Sequence, residues 1–358
     1  MKKFLVVCAA MMLPCFLVRA QEADDAGRGA VLSFIPRLDA GAVYVKDEKE
    51  ASFSFGNTSF YTLFEGNISD KWSFSVMNHW IWSRGDHFDK WFKDGIWEPT
   101  KSLYDKINWI GRGPNFCDWN FCDWAYVTFS PGPFEFSLGK QLLLTGGFEF
   151  DDYDYDVNPY LASSIWNNFT CYQWAFTPAW NLPDGKSKLS LQLACDPLNT
   201  HLSYAAQWDG TYGPYSMHWS GLTFKNGLGD WRFIASFGNR LELGDWTLDL
   251  TYVNKYGVSY YGDPDDDSIL TDVVDKGYTL IPSIVWSPSD KWSFSLKGSY
   301  NHCNADSDMS FMTAGLTGTW APLRDSQSLR IQASAGTYDK DCYYGVLGVI
   351  WNFDLKLW

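Results

Sequence analysis

The chain has 358 residues, a formal net charge of −14, and Phe, Trp and Tyr at 18% of its positions. So acidic a balance argues against a nucleic-acid partner, whose backbone calls for lysine and arginine. After Ala20 no eighteen apolar residues run together, so membrane-spanning helices are excluded, while the aromatic content stands far above that of an ordinary soluble domain.

In chain order, Lys2 and Lys3 precede an apolar run from Phe4 to Val18, and Val18-Arg19-Ala20 supplies the small residues of a cleavage site. Residues 1–20 thus read as a signal peptide and 21–358 as one mature domain. The leader's Lys2, Lys3 and Arg19 leave with it, so the net charge of −14 becomes −17.

The mature chain alternates in hydropathy with period two, as strands with two different faces must. Trp292, Phe294, Leu296 and Tyr300 oppose Ser293, Ser295, Lys297 and Ser299; Trp246, Leu248, Leu250 and Tyr252 oppose Thr247, Asp249 and Thr251. Near the end, Leu347, Val349, Trp351, Phe353, Leu355 and Leu357 oppose Asn352, Asp354 and Lys356. The pattern predicts sixteen strands, at 32–46, 52–65, 71–83, 122–130, 134–146, 171–181, 186–195, 201–209, 214–225, 230–241, 245–257, 277–287, 291–301, 308–321, 327–338 and 343–358. Turns on one side are short, and loops on the other include long ones at 84–121, 147–170 and 258–276. Asp70-Lys71-Trp72-Ser73-Phe74-Ser75 recurs at Asp290 to Ser295, each copy setting a Trp at the first outward position after a short turn. All this describes an all-β, transmembrane, antiparallel barrel with short periplasmic turns and long extracellular loops, placed in the outer membrane of a Gram-negative bacterium. Its partners are then outer-membrane lipid and small solutes.

The fifth strand ends at Gly146-Gly147, and five carboxylates follow: Glu149, Asp151, Asp152, Asp154 and Asp156. They belong to a solvated loop, to a channel constriction or mouth, or to a calcium site. Asp152-x-Asp154-x-Asp156 starts like an EF-hand, but Val157 stands where glycine is needed and Ser163 where glutamate is, so no metal is expected.

This segment also resembles a known family. Gly139-Lys140-Gln141, then Gly146-Gly147-Phe148-Glu149-Phe150-Asp151, then Asp156-Val157-Asn158-Pro159-Tyr160 looks like the strand and loop of the phosphate-selective porin O and P family over residues 134–175. The resemblance implies a sixteen-stranded barrel, commonly a trimer, that passes small solutes passively. In general porins the third outer loop folds inward and narrows the channel, which makes 147–170 the expected constriction. The terminal Trp358 resembles the signal by which barrel assembly machinery recognises its clients, although by parity it lies on the polar face. Phosphate selection in such channels rests on a dense ladder of inward arginines. Of eight arginines after the leader, alternation turns inward Arg232, Arg240 and Arg330. Lys255, Lys297 and Lys356 join them, Glu135, Asp249 and Asp354 offset them, and Lys140 points inward only if Gly139 forms a bulge.

Six cysteines remain after cleavage, all near outer strand ends, and Cys171 with Cys195 and Cys303 with Cys342 are the candidate disulfides. Trp91, Trp97, Trp109, Trp119, Trp124 and Trp166 are assigned to the outer loops, either as a mini-core or as faces on which sugars stack; residues 101–110 have the spacing of a short loop helix. None of the five histidines lies in a nucleophile motif, and neither G-x-S-x-G nor H-E-x-x-H occurs. The sequence therefore predicts a diffusion channel for small hydrophilic solutes or ions, without cofactor or catalysis. Its rivals are a carbohydrate-selective porin or glycan-binding surface barrel, and, third, a barrel hydrolase using His79.

Overall fold

The computed structural model describes residues 29–46, 49–54, 58–81, 90–93, 96–99, 122–149, 172–195, 202–225, 231–260, 273–303, 309–323, 328–338 and 342–357. The leader, Asp151, Asp152, Asp154, Asp156, Cys171, the 101–110 segment and Trp358 lie outside them. Among the described residues every regular element is a strand: β1 (Gly29–Val45), β2 (Glu50–Ser54), β3 (Ser59–Ser69), β4 (Trp72–Ile81), β5 (Lys90–Lys93), β6 (Ile96–Pro99), β7 (Cys122–Phe129), β8 (Phe134–Leu142), β9 (Tyr172–Asn181) and β10 (Ser187–Cys195). There follow β11 (Leu202–Tyr212), β12 (Tyr215–Lys225), β13 (Trp231–Leu243), β14 (Trp246–Tyr260), β15 (Val273–Ser289), β16 (Trp292–Cys303), β17 (Met309–Trp320), β18 (Leu329–Tyr338), β19 (Cys342–Trp351) and β20 (Phe353–Lys356).

Every pairing is antiparallel; the staves follow one another in chain order, with β4 pairing β7, and β1 closes the ring by pairing with β3 on one side and with β19 and β20 on the other. The last two are one stave interrupted at Asn352, whose N–H donates to the Ser328 carbonyl at 2.6 Å. Three short strands, β2, β5 and β6, extend the β1 end of the sheet and are not staves. The wall is therefore a closed sixteen-stranded antiparallel barrel. Full closure removes the unpaired edges that would otherwise invite aggregation.

Alternation sorts the side chains onto two faces. Leu138, Leu316 and Leu347 are 61%, 62% and 56% exposed on the outward face, whereas Thr279, Asn301 and Thr313 are 0% exposed on the inward one. Outward aromatics stack across neighbouring strands: Trp72 with Phe129 at 4.7 Å, Trp246 with Trp286 at 5.7 Å and Trp292 with Trp320 at 5.9 Å. Such pairs belong to the cross-strand contacts that hold a sheet. The repeated Asp-Lys-Trp segments make the same turn, in which the N–H of Lys71 donates to Ser69 Oγ and that of Lys291 to Ser289 Oγ, both at 3.4 Å.

Boundaries differ from the sequence reading in instructive places. Residues 258–260 and 273–276, expected as loop, continue β14 and β15 past a β-bulge between Tyr256 and Val258. Inside the expected loop 84–121, β5 and β6 form a hairpin. The eighth strand runs beyond its expected end at 209 to Tyr212, because Gly210 lies opposite Ser187 on one side and Gly210 to Tyr212 pair with Met217 to Tyr215 on the other. Trp124 belongs to β7 rather than to an outer loop; its Nε1–H donates to Ser75 Oγ at 2.8 Å, and it packs on a buried group of Ile35, Tyr61, Met77 and Ile350.

Candidate functional site

The inner wall is where the chain departs from simple up-and-down winding. β8 leaves the sheet at Leu142, and the next seven residues turn inward, with Leu143 buried against Ala175 and Ala194. Gln192 of β10 makes this turn possible. Its Nε2–H₂ donates to the Leu142 carbonyl at 3.0 Å and to Thr177 Oγ1 at 3.1 Å, while its Oε1 accepts the Leu144 N–H at 3.1 Å. Backbone groups that have left the ladder need such partners when buried. Thr145 N–H closes a three-residue turn onto Leu143 O at 2.8 Å, and Leu144 packs on Ala205, Leu222, Phe224, Ile234 and Val253.

Beyond Leu144 the segment crosses the strands. Gly146 and Gly147 adopt φ of 68° and 80°, which side chains other than glycine rarely accept. Gly147 N–H donates to the His218 carbonyl at 3.1 Å, and His218 Nδ1 stands 3.3 Å from the Gly147 carbonyl. Phe148 stacks on the His218 ring at 4.3 Å and lies under the Arg240 guanidinium at 4.4 Å. Glu149 ends the described run beside Lys297, at 3.5 Å. A cleft between this run and the wall is lined by Phe148, Glu149, Asp249, Thr251, Ile281, Ser283 and Lys297.

The sequence-predicted charges occupy definite places in the ladders. Arg240 stands directly opposite Asp249 and binds it with two hydrogen bonds, 2.7 and 2.9 Å, the fork-to-fork geometry that guanidinium and carboxylate favour. Lys297 is opposite Ser283, Arg232 opposite Phe224, and Arg330 opposite Ile350, all partners on the inward face. Lys255 is paired with Ile234 and Gly277, and its side chain is outside the described part. Glu135 receives Lys188 at 3.3 Å near the short-turn end, and Asp354 accepts a hydrogen bond from Ser33 at 2.7 Å.

Lys140 is a correction. The bulge at Gly139 that would re-aim it is absent: pairing is continuous through Gly139 to both neighbours, although its φ is 136°. Lys140 therefore keeps the parity of Phe136 and Leu138, and its ammonium donates to the Cys122 carbonyl at 2.7 Å. The two cysteine pairs also meet obstacles. β17 and β18 stand between Cys303 on β16 and Cys342 on β19, roughly 14 Å at ordinary strand spacing, twice the reach of a disulfide. The β9–β10 register continues to put Cys195, a free thiol, opposite Trp174, three residues from Cys171.

Sequence reasoning missed several residues of this wall. Arg37 is a fourth inward arginine, opposite Ser59 and Ile350, and its Nε donates to Asp39 at 2.7 Å with both side chains almost wholly buried. Its signal was available, since Arg37 and Asp39 flank the outward Leu38. His79, named from the sequence as the hydrolase candidate, stacks at 3.9 Å on Tyr61, its opposite number on β3, and stands 3.6 Å from Asp123, at the register shift between Met77 and Asn78 on the β7 side; only its partners were missed. His218, Gln192 and Gly238 had no sequence signal, because their importance comes from what the inward segment touches.

No protein-family model matches the chain, and no characterised protein is similar enough in sequence to count as a relative. Solved structures do share its fold. The outer membrane channel DcaP of Acinetobacter baumannii matches with a TM-score of 0.56 at 11% identity, over 93% of this chain and 100% of that one. OmpF of Salmonella typhi, in complex with daunomycin, matches at 0.56 and 10% identity over 90% and 97%. A trimer form of OmpT, an outer membrane protein of Vibrio cholerae, matches at 0.52 and 11% identity over 90% and 99%. At such identities the likeness establishes the barrel and nothing finer.

Proposed function

We propose that the chain is an outer-membrane porin of a Gram-negative bacterium: a passive diffusion channel for small hydrophilic solutes or ions, narrowed by the loop 147–170. The observation that carries this reading is the segment 143–149, which leaves β8 and lies across the inner wall from Gln192 on β10 to Lys297 on β16. A closed barrel whose outward face bears Leu138, Leu316 and Leu347 needs hydrocarbon around it, and an inward face of hydroxyls, amides and charges suits water. The structural neighbours, described as outer-membrane channels and proteins, support the same place. A homo-oligomer, most simply a trimer, is supported by the OmpT trimer form and by the resemblance at residues 134–175. The C-terminal segment, β20 with Trp358 after it in sequence, would be what barrel assembly machinery engages.

The charge pattern bears on selectivity. Arg37, Lys188, Arg240 and Lys297 each stand beside an acid, so these cations do not form the uncompensated ladder that phosphate selection requires. A broad channel fits better than a phosphate-selective one. A carbohydrate-selective channel, or a glycan-binding barrel, draws support from one feature: the hydroxyl pair of Thr128 with Ser137, 2.7 Å apart and only part-buried, which suits neutral polar solutes. Purified mature chain in a planar bilayer tests the reading: stepwise conductance supports it, and binding of sugars without conductance replaces it with the glycan-binding alternative. Lipid or peptide hydrolysis lost in His79→Ala would replace it with the hydrolase.

A further inference from the structure

We infer that β12 and β13 carry a built seat for the inward segment, with Gly238 as its floor and His218 as its clasp, and that this seat sets how far the segment stands from the pore axis. The inference rests on the channel reading and adds to it the residues that position the narrowing.

The floor is a backbone-to-backbone contact. A Cβ placed on Gly238 would fall 2.5 Å from Gly147 Cα and 3.1 Å from both Gly147 N and Gly147 C. Those are main-chain atoms, which cannot rotate aside. The converse holds from the segment's side: a Cβ on Gly146 would meet Ser220 Oγ at 2.5 Å, and one on Gly147 would meet Thr251 Cγ2 at 2.8 Å. Gly238 therefore leaves the room that the Gly147 backbone uses, and Gly146 and Gly147 leave the room that the wall side chains Ser220 and Thr251 use. Nothing in strand or turn propensity asks for glycine at 238, which lies inside a regular ladder opposite His218 and Thr251.

The clasp is a single residue holding a single residue. The His218 carbonyl accepts the Gly147 N–H at 3.1 Å, and Nδ1, 3.3 Å from the Gly147 carbonyl, must carry a proton to donate back. The same ring stacks on Phe148, and its Nε2 is 3.9 Å from Asp209. The wall behind the seat is stiff, since Gly238 sits in continuous pairing with both neighbours, from 215 to 225 on β12 and from 246 to 256 on β14. A side chain inserted at 238 therefore leaves the wall in place and moves the segment, and the free direction is toward the axis. Relief of the 2.5 Å contact alone requires about 1 Å of displacement.

The test uses the full mature chain, folded in detergent, with two readouts. A zero-length carbodiimide joins Glu149 to Lys297 only while the segment is seated, and mass spectrometry of the linked peptide gives the yield. Single-channel conductance reads the opening. The parent chain should give the linked peptide. Gly238→Val should lower its yield and reduce the conductance, Gly238→Ala less so. Gly221→Val, where a Cβ meets only Phe233 ring atoms at 3.6 Å or more, should match the parent in both readouts. His218→Ala should lower the yield, and His218→Asn, which restores an N–H donor near Nδ1, should recover it. Parental yield and conductance in both Gly238→Val and His218→Ala overturn the seat. A Gly238→Val chain that fails to fold leaves Gly238→Ala and the His218 pair to decide. Absence of conductance in the parent refutes the channel while the cross-link still reads the seat.

Discussion

Replacing Arg240 with glutamine removes one guanidinium and leaves Asp249 without its two hydrogen bonds of 2.7 and 2.9 Å. In the parent the two charges nearly cancel for an ion a few ångströms away. Without Arg240, an ion passing about 5 Å from the carboxylate feels about 0.8 kcal/mol in water and about 3 kcal/mol where the wall lowers the effective dielectric constant to about 20. At about 0.1 M salt, a Debye length near 10 Å trims the water value to about 0.5 kcal/mol. A cation gains that amount and an anion loses it, so their ratio moves by about 1 kcal/mol, roughly fivefold toward cations. The assay is the reversal potential of the reconstituted chain in a KCl gradient. Asp249→Asn should move it the opposite way, and it leaves the guanidinium over Phe148 in place, which separates charge from loop support. At about 1 M salt both shifts should nearly vanish, because the Debye length falls to about 3 Å. Unchanged reversal potentials in both variants at low salt would show that the pair stands off the conduction path. A shift surviving at high salt would show that bore shape, not charge, was altered.

Gln192→Leu should destabilise the barrel by about 1–3 kcal/mol for each buried backbone group it leaves unpaired, Leu142 O and Leu144 N–H. An unchanged urea midpoint in detergent would refute that. Leu347→Arg, on the outward face, should cost about 2–4 kcal/mol if that residue sits near the middle of hydrocarbon, read as the unfolding free energy from lipid vesicles; a cost near zero would mean it faces water or a headgroup. Asp184, in the exposed turn after β9, is held below the ordinary carboxylate range chiefly by the Ser187 hydroxyl and next by the Lys186 N–H. A depressed folded-state pKa gives stability that is present above the unfolded pKa and lost as pH falls through the folded one. Asp184→Asn should therefore be less stable than the parent at neutral pH and approach it in strong acid, and an equal gap at both pH values would refute the linkage.

The architecture was legible because its signal is local and repeated. Alternation of Trp292, Phe294 and Leu296 with Ser293, Ser295 and Lys297 fixes two faces within one strand, and the same rule applies to every stave. Strand ends were less legible, since polarity at a strand's tip reads as loop. Gly210 looks like the start of a turn until the strands beside it supply Ser187 and Met217 as opposite numbers. The β9–β10 register is similar. Symmetry about Pro183 suggested Cys171 opposite Cys195, whereas the turn places Lys188 opposite Asn181, a slip of three residues. Asp184 accepts from Ser187 and Lys186 and so draws the turn toward the β10 side.

Within the wall, legibility depended on how many strands a contact joins. Arg240 and Asp249 share one hairpin, whose two-residue turn at Gly244-Asp245 makes positions equidistant from it cross-strand partners. Their pairing, not only their common inward face, was deducible from spacing alone. The contact between Gly147 and Gly238 joins residues that no hairpin relates, and each alone looks like an ordinary glycine. Its meaning comes from the inward course of residues 143–149, which begins where β8 loses its ladder and Gln192 takes over its hydrogen bonds. Hairpin chemistry therefore builds the wall and the Arg240–Asp249 pair, whereas the seating of residues 143–149 depends on a non-local fit. It follows that this pair should tolerate exchange of partners, as in Arg240→Asp with Asp249→Arg, which restores it in the opposite orientation. The seat has no such compensating exchange, because two glycines that touch through their backbones leave no side chain to trade.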